Sequence, residues 1–320
     1  MRNSEKVLKN CRVMVTGGAG FIGSHLVRKL AERSYRVKVL DNLSTGKLSN
    51  ISSELLRGGS VDVIKGDIRD AELVKKCVDD VDAVVHLAAQ TSVPFSVQNP
   101  EFNNEVNVKG TLNLLNSSVE TNLSKFVFTS SCAIYGEPIY LPVDEKHPTN
   151  PISPYAESKF IAERECLRLN DERLLKSVVV RLFNVYGPRQ GLNDYSGVIT
   201  KFIDRIKQRL PLVIYGDGSQ TRDFVYVEDT VNAIILALEN RKVDGEVFNI
   251  GFGKATSIQE LAQTMLSLAG LDLEILKAPP RLGDIKHSYA DISKANKLLG
   301  YKPQFSLKEG LKDLLGENAL

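Results

Sequence analysis

The stretch VTGGAGFIGSHL, residues 15–26, restricts the possible folds of this chain more than any other segment. It follows a short run rich in β-branched residues and opens a segment with helical periodicity. Gly18, Gly20 and Gly23 fit the spacing G-x-G-x-x-G, and counting from Gly17 gives G-x-x-G-x-x-G. Glycines at these positions permit a tight turn and let the backbone approach a pyrophosphate at a helix N-terminus. We therefore predict a strand, a turn and a helix that together receive a dinucleotide.

The same alternation of strand and helix continues along the first half of the chain. Short apolar, β-branched runs alternate with longer amphipathic segments, and the runs occupy residues 12–17, 36–41, 61–67, 82–89, 125–131 and 176–184. Such runs are typical of parallel strands that are buried on both faces. Beyond about residue 186 the chain becomes loop-rich, with one more strand predicted in 245–251. We predict an α/β fold, a Rossmann-type doubly wound parallel sheet with a smaller, mixed α/β C-terminal substrate lobe.

The overall charge and the cysteine and histidine spacing exclude several function classes. The net charge is +2 over 320 residues, which gives no electrostatic reason to expect nucleic acid or an anionic membrane as partner. No apolar run approaches the roughly 18 residues of a membrane span. The four cysteines form no C-x-x-C pair, and the four histidines lack metal-ligand spacing. We expect a cytoplasmic enzyme without a metal.

Acidic residues follow two of the predicted strands. Asp41 ends the second strand, where a carboxylate accepts hydrogen bonds from an adenosine ribose and repels a 2′-phosphate. Lys47 lies nearby but no arginine is adjacent, which favours NAD over NADP as the cofactor. Asp67 ends the third strand, and there two interpretations stay open, a contact to the adenine or a cap of the strand end.

The segment SPYAESK, residues 153–159, predicts a helix that carries a general base. Ser153 is a good N-cap and Pro154 a good first helical residue. Tyr155 and Lys159 then lie at i and i+4 on one face of the helix. A lysine ammonium beside a phenol favours the phenolate, so we predict a lowered pKa for Tyr155 and a role as general base near neutral pH.

These motifs occur in an order that resembles a known family. The glycine-rich turn comes first, then TSSCAIYG at residues 129–136 and PYAESK at the next helix start. RLFNVYGPRQ, YGDGSQTRDFVYVEDT, FNIG and RLGD follow in that order. The sequence resembles the extended short-chain dehydrogenase/reductase family, and within it the UDP-glucose 4-epimerase-like sugar-nucleotide epimerases. The resemblance covers nearly the whole chain.

The resemblance implies roles for the residues around the cofactor. Tyr155 matches the general base, Lys159 the residue that tunes it and holds the nicotinamide ribose, and Ser131 the hydroxyl that hydrogen-bonds the reacting sugar oxygen. Ser130 packs under the cofactor without a chemical role. Besides Tyr155 and Lys159, the positions that match cofactor-lining residues are Gly17, Gly20, Phe21, Ile22, Asp41, Asn42, Ser44, Asp67, Ile68, Leu87, Ala88, Asn107 and Phe183. Thr91 stands where some family members carry a lysine near the nicotinamide.

The resemblance also implies a site for a nucleotide sugar, with Ser131 and Tyr155 at the sugar. Arg222 and Arg281 can each offer a guanidinium fork to the diphosphate. The other matching positions are Asn184 for a phosphate, Tyr215 for stacking on a uracil, Asp284 for orienting Arg281 or binding the ribose, and Ser288 in the sugar pocket. A small residue at position 288 leaves room for a 2-acetamido group, so we expect N-acetylhexosamine nucleotides to be accepted as well as plain hexoses.

Two residues without an acidic group reduce the number of reactions that the resemblance allows. Related dehydratases and decarboxylases carry an acidic residue just before the Y-G pair, where this chain has Cys132 and Ala133. With no second acid, the resemblance implies a redox-neutral cycle: C4 of the sugar is oxidised, and hydride then returns to its other face. We predict a UDP-sugar 4-epimerase with tightly bound NAD. The alternatives are an enzyme acting on a GDP- or dTDP-sugar, and a non-catalytic NAD-sensing protein.

The change to a loop-rich pattern beyond residue 186 predicts two lobes, and the resemblance implies a homodimer. Residues 1–184 are expected to form the NAD-binding Rossmann domain, to which residues 224–250 return. The expected sugar-nucleotide-binding lobe comprises residues 185–223 and 251–320. Helices near residues 107–120 and 154–169 match those that pair in two-fold dimers of the family.

Overall fold

The alternation of strands and helices predicted for the chain is present in the fold. A computed structural model describes residues 11–192, 197–280 and 285–317. The strands are β1 Arg12–Thr16, β2 Arg36–Asp41, β3 Val61–Lys65, β4 Ala83–His86, β5 Lys125–Ser131, β6 Ser177–Leu182, β7 Asn184–Tyr186, β8 Leu212–Tyr215, β9 Thr221–Arg222, β10 Phe224–Tyr226, β11 Val247–Ile250, β12 Thr256–Ser257 and β13 Ile275–Ala278. The α-helices are α1 Phe21–Glu32, α2 Ser53–Arg57, α3 Ala71–Val78, α4 Val93–Gln98, α5 Pro100–Asn104, α6 Gly110–Glu120, α7 Pro154–Asp171, α8 Val198–Lys207, α9 Val227–Glu239, α10 Ile258–Ala269, α11 Ser293–Leu299 and α12 Leu307–Glu317.

Seven strands form one parallel sheet in the order β11-β6-β5-β4-β1-β2-β3. The chain builds outward from β1 to β3 and then continues on the other side of β1 with β4. Reversal of strand order opens a crevice at the carboxyl ends of the two adjacent strands. In this sheet those strands are β1 and β4, so Gly17 and Leu87 begin the two edges of the crevice. The predicted Rossmann-type α/β fold is confirmed.

The sheet is covered on both faces, which explains the apolar runs of its strands. Val13 and Val15 of β1 pack in one hydrophobic cluster with Leu26 of α1 and Ile234 of α9. The intervening Met14 packs in a second cluster, to which α6 and α7 contribute Leu114, Leu115, Ala162 and Cys166. Because successive strand residues point to opposite faces, a strand between two helical layers needs apolar residues at every position.

Helix α7 begins where the sequence predicts. The Ser153 hydroxyl accepts a hydrogen bond from the Ala156 N–H at 3.2 Å, and Pro154 is the first helical residue. The cap and the proline therefore place Tyr155 in the first turn, beside the carboxyl end of β5.

Smaller strand pairs lie outside the large sheet. β7 pairs with β10 and β8 with β13 in parallel, whereas β9 and β12 are antiparallel. The segment predicted as one more strand forms β11 at the edge of the large sheet, next to β6. The division into two lobes stays a prediction.

None of the helices in the described part of the chain is long and apolar enough to cross a membrane.

Candidate active site

The glycine-rich turn between β1 and α1 depends on glycine at two positions. Gly17 has a φ of +68°, and a Cβ on it would lie 2.9 Å from the backbone nitrogen of Ala88. A Cβ on Gly23 would lie 2.1 Å from the carbonyl oxygen of Gly17. Any side chain at position 23 would therefore displace the turn against which α1 packs. This close packing leaves the backbone exposed at the N-terminus of α1, where the helix dipole favours a phosphate.

A cleft of about 490 Å³ lies beside this turn, and we call it the cofactor cleft. It is lined by Gly17, Gly20, Phe21, Ile22, Gly23, Leu40, Asp41, Asn42, Ser44, Thr45, Gly66, Asp67, Ile68, Leu87, Ala88, Ala89, Gln90, Thr91, Phe95, Phe102 and Val106. Most of the residues predicted to line the cofactor are in this set. The residues that were missed lie mostly on loops and short helices without a marked motif, and they are Leu40, Thr45, Gly66, Ala89, Gln90, Phe95, Phe102 and Val106.

Asp41 lines the cofactor cleft with a fixed carboxylate. Its Oδ2 accepts a hydrogen bond from the Ala19 N–H at 2.9 Å, and its Oδ1 accepts one from the Leu43 N–H at 2.8 Å. A carboxylate oxygen has two lone pairs, so each oxygen can accept a further hydrogen bond. This arrangement fits the two hydroxyls of an adenosine ribose, as the sequence predicts.

Asp67 lines the same cleft but is already held by the protein. The Arg69 guanidinium donates to both carboxylate oxygens, at 3.0 and 2.9 Å, and the Asn42 amide donates to Oδ2 at 3.0 Å. The Arg69 hydrogen bonds are the main cause that lowers the pKa of Asp67 to about 2. The structural role at the strand end is therefore observed, and the contact to an adenine stays a prediction.

The Asn107 side chain is hydrogen-bonded to two other segments of the protein, the loop after β4 and helix α7. Its side chain accepts from the Gln90 N–H at 2.8 Å and donates to the Gln90 carbonyl at 2.9 Å and to the Ser158 hydroxyl at 3.0 Å. It lies in a π-helical turn, Glu105–Lys109, a distortion that is frequent near functional sites. Asn107 thus joins the loop after β4 to α7, and its direct contact with the cofactor stays a prediction.

The predicted catalytic residues lie together in an adjoining pocket of about 330 Å³, which we call the catalytic pocket. It is lined by Phe21, Ile22, Leu87, Ala89, Thr91, Thr129, Ser130, Ser131, Tyr155, Lys159, Leu182, Phe183, Val185 and Gln190. Phe21, Ile22, Leu87, Ala89 and Thr91 also line the cofactor cleft, so the two spaces are continuous. A dinucleotide in the cleft can therefore extend one end toward Tyr155 and Lys159.

Desolvation dominates the electrostatics of the catalytic pocket. It raises the pKa of Tyr155 to about 12, although the hydrogen bond with the Ser131 side chain opposes this rise. Burial also lowers the pKa of Lys159 to about 8, and its ammonium lies 4.5 Å from the centre of the Phe128 ring. The lowered pKa predicted for Tyr155 is therefore wrong for the protein without a cofactor, because loss of hydration outweighs the favourable interactions of the phenolate.

The catalytic pocket also contains an unsatisfied polar group. Among the described residues, the Ser130 hydroxyl is buried and has no hydrogen-bond partner. Leaving a buried hydroxyl without a partner lowers the free energy of unfolding by about 1–3 kcal/mol. A polar group of a bound cofactor can supply the missing partner. Together with the glycine turn and the Asp41 carboxylate, this hydroxyl indicates that the residues present fit NAD.

A third space of about 370 Å³, the substrate pocket, lies next to the catalytic pocket. It is lined by Asn184, Val185, Tyr186, Gln190, Gly197, Val198, Ile199, Lys201, Phe202, Val213, Ile214, Tyr215, Gln220, Arg222, Phe224 and Ile258. Three predicted substrate residues, Asn184, Tyr215 and Arg222, are among them. Gln190 lines both this pocket and the catalytic pocket. Sequence reasoning did not single out Gln190, although it ends the quoted motif RLFNVYGPRQ.

Ser288, which is also predicted to contact the substrate, is not among the residues that line these spaces. Ser288 is buried, and its N–H donates to the Thr221 carbonyl at 3.2 Å, so it lies next to the strand that carries Arg222. Its contact with a sugar stays a prediction. Arg281 and Asp284 lie outside the described residues.

Continuous cofactor, catalytic and substrate spaces, with a tyrosine, a lysine and a serine where they meet, are the features of an NAD-dependent enzyme that acts on a hydroxyl group. Residues 13–251 match the model of the NAD dependent epimerase/dehydratase family, and this chain belongs to that family.

Similar proteins match over almost their full lengths. A Methanocaldococcus jannaschii protein with the provisional name UDP-glucose 4-epimerase is 44% identical, over 94% of this chain and 96% of its own. The solved UDP-glucose 4-epimerase of Thermotoga maritima, with UDP-glucose, is 40% identical with a TM-score of 0.90, over 95% and 97% of the two chains. A UDP-N-acetylglucosamine 4-epimerase from Methanobrevibacter ruminantium, in complex with UDP-N-acetylmuramic acid, is 38% identical with a TM-score of 0.92, over 96% and 98%.

Substitution of Gly23 by alanine tests the cofactor turn. We expect Gly23→Ala to lose most of its bound NAD, because the new methyl group collides with the Gly17 carbonyl. NAD released on denaturation of the purified protein measures this. Gly316→Ala is the control, since a Cβ there meets nothing within 4 Å. Equal NAD content in the two variants would contradict a role for the turn in cofactor binding.

Proposed function

We propose that this protein is a UDP-sugar 4-epimerase that interconverts UDP-glucose and UDP-galactose with a tightly held NAD. The observation that carries the proposal is the position of Ser131, Tyr155 and Lys159 between the cofactor cleft and the substrate pocket. A sugar at that junction has one face toward the cofactor and its nucleotide toward Arg222.

The residues of the catalytic pocket handle the proton of the sugar 4-hydroxyl. Ser131 accepts or donates a hydrogen bond at that oxygen, and Tyr155 takes the proton as the hydroxyl becomes a ketone. Gly17, Gly20 and Asp41 of the cofactor cleft would hold NAD, which would supply the acceptor for the C4 hydride and its return to the opposite face of the ketone. Tyr155 then gives its proton back to the oxygen, so protons and electrons balance without a net oxidant. Between the two transfers the pocket has to let the sugar turn over.

Nearby positive charge has to lower the pKa of Tyr155 before this residue can act as a base. In the protein alone the pKa of Tyr155 is about 12, too high for an efficient base near neutral pH. The Lys159 ammonium lies on the same helix face, and an oxidised nicotinamide adds a second positive charge. Both favour the phenolate, so we expect the base to be active only when oxidised cofactor is bound.

The lack of a second acid separates epimerisation from the other reactions of the family. Cys132 follows Ser131 directly, and desolvation raises the pKa of its thiol to about 12, so it is a neutral group at physiological pH. Ala133 has no titratable group. Elimination of water from the sugar, or loss of a carboxyl group, would need an additional acid or base at this place, and neither side chain offers one.

The small residue at position 288 supports a wider substrate range. Ser288 lies beside the strand of Arg222, where a larger side chain would take up space near the sugar. We infer that 2-acetamido sugars are accepted, and that the physiological nucleotide is uridine diphosphate. The sugar-nucleotide-binding lobe of residues 185–223 and 251–320, with the Rossmann domain of 1–184 and 224–250, is part of this proposal, as is a cytoplasmic location.

An exposed apolar residue supports the proposed homodimer, in which the helices near residues 107–120 and 154–169 pair. Ile161 of α7 is 40% exposed, and α7 packs against α6. A second copy that covers these two helices would bury Ile161 and stabilise the helix that carries Tyr155 and Lys159.

A panel of nucleotide sugars tests the reaction. The purified protein is incubated with UDP-, GDP- and dTDP-hexoses without added NAD, and products are identified by NMR. We expect inversion at C4 of the UDP-hexoses with no accumulation of NADH. A free 4-keto-6-deoxy product, release of carbon dioxide, or turnover restricted to GDP- or dTDP-sugars would refute the proposal.

Replacement of Tyr155 by phenylalanine tests the base. We expect Tyr155→Phe to lower kcat by at least roughly a hundredfold, because the proton acceptor is lost, while NAD stays bound. Tyr140→Phe is the matched control, since that hydroxyl contacts only Asp144 among the described hydrogen bonds and Tyr140 does not line any of the three spaces. Comparable kcat values for the two variants would show that the wrong base was named.

UDP-N-acetylglucosamine tests the inference from Ser288. We expect the protein to convert it to the C4 epimer at saturating concentration, and Ser288→Tyr to lose this activity while it keeps activity on UDP-glucose. A wild-type protein that epimerises UDP-glucose but leaves UDP-N-acetylglucosamine unchanged contradicts the inference.

A further inference from the structure

Directly behind the substrate pocket lies a carboxylate that the reaction does not use. Asp223 follows Arg222 in the chain and is fully buried. Its Oδ1 accepts a hydrogen bond from the Phe252 N–H at 2.7 Å. Its Oδ2 accepts from the Gly253 N–H at 2.9 Å and from the Ala290 N–H at 3.1 Å. Backbone groups of two distant segments therefore converge on one side chain.

Three predicted substrate residues lie next to Asp223 or next to a segment that is hydrogen-bonded to it. Arg222 precedes it in the chain and lines the substrate pocket. The backbone carbonyl of Asp223 accepts from the Asn184 N–H at 3.0 Å and from the Asn184 amide at 3.3 Å. Ala290 comes two residues after Ser288, whose own N–H is bonded to the Thr221 carbonyl. One residue thus joins the backbone around three groups expected to contact the same ligand.

Burial of the Asp223 carboxylate is unfavourable for the free energy of folding. Among the described residues its hydrogen-bond donors are neutral backbone groups, and burial raises the pKa of Asp223 to about 6 despite them. Removing a carboxylate from water without a cation partner costs folding free energy that neutral hydrogen-bond donors only partly offset. Such a residue is expected where its geometry serves a purpose that a neutral residue cannot.

We propose that Asp223 is a positioning residue, which holds Arg222, Asn184 and Ser288 in the arrangement that binds a nucleotide diphosphate sugar. The proposal rests on the proposed function for the identity of that ligand. The side chain has two acceptor oxygens and three N–H groups to satisfy, and an ionised carboxylate can accept all three. An amide cannot, because its NH₂ group would face either the Phe252 N–H or the pair from Gly253 and Ala290.

A second buried aspartate offers a matched control. Asp229 of α9 is 2% exposed and also accepts two backbone N–H groups, from Gln304 at 2.8 Å and from Phe305 at 3.1 Å. Burial raises the pKa of this group as well. The segment that it holds does not line the substrate pocket or the catalytic pocket. Asp229→Asn therefore reproduces the loss of a buried carboxylate without the connection to the ligand.

Binding and kinetics of the two asparagine variants test the proposal. We expect Asp223→Asn to raise the KM for UDP-glucose and the Kd for UDP by roughly tenfold, with kcat and NAD content nearly unchanged. Asp229→Asn is expected to lower Tm without changing KM or Kd. The proposal is overturned if Asp223→Asn lowers Tm in the same way and leaves KM and Kd at wild-type values.

A milder variant covers the case in which Asp223→Asn does not fold. A Cβ at Gly251 would lie 2.5 Å from Asp223 Oδ2, so Gly251→Ala displaces the carboxylate and keeps its charge. We expect the same rise in KM and in the Kd for UDP, and wild-type values would refute the proposal. If the wild-type protein binds UDP but epimerises no UDP-sugar, the proposed function fails, and the Kd values alone decide the role of Asp223.

Discussion

The close contact between the ends of β1 and β4 is the constraint on which the rest of the site depends. Thr16 ends β1, and its hydroxyl lies 2.7 Å from Nδ1 of His86, the last residue of β4. Nε2 of His86 lies 2.8 Å from the Thr111 hydroxyl on α6. Burial lowers the pKa of His86, so the imidazole is neutral and bridges the two hydroxyls. The two strand ends are thereby joined where the strand order reverses, and the glycine turn can pass within van der Waals distance of Ala88.

Once the two strand ends are held, α7 places Tyr155 and Lys159 beside them. The Tyr155 N–H donates to the Ser96 hydroxyl at 3.1 Å, and Asn107 joins Ser158 to the loop after β4. The helix that carries Tyr155 and Lys159 is therefore fixed to the same loop that lines the cofactor cleft. The base and the cofactor cleft can therefore be aligned before the substrate binds, which is where much of the catalytic advantage arises.

Local features of the site could be predicted from the sequence, and long-range ones could not. The glycine turn, the strands around it and the Ser153 cap depend on neighbouring residues, and the structure confirms them. Asp223 depends on Ala290, which is remote in the chain, and no motif marks that pairing. The raised pKa of Tyr155 follows from burial, which spacing along a helix does not reveal. The family resemblance supplied the residues of the site but not the contacts that hold them.

The most direct test of the account follows the hydrogen at C4. Purified protein is given UDP-glucose that carries deuterium at C4, in ordinary water and without added NAD, and the product is analysed by NMR and mass spectrometry. We predict UDP-galactose with the deuterium retained at C4, because the hydride moves to the cofactor and returns within one pocket. Loss of the deuterium to solvent, with formation of the same product, would contradict it.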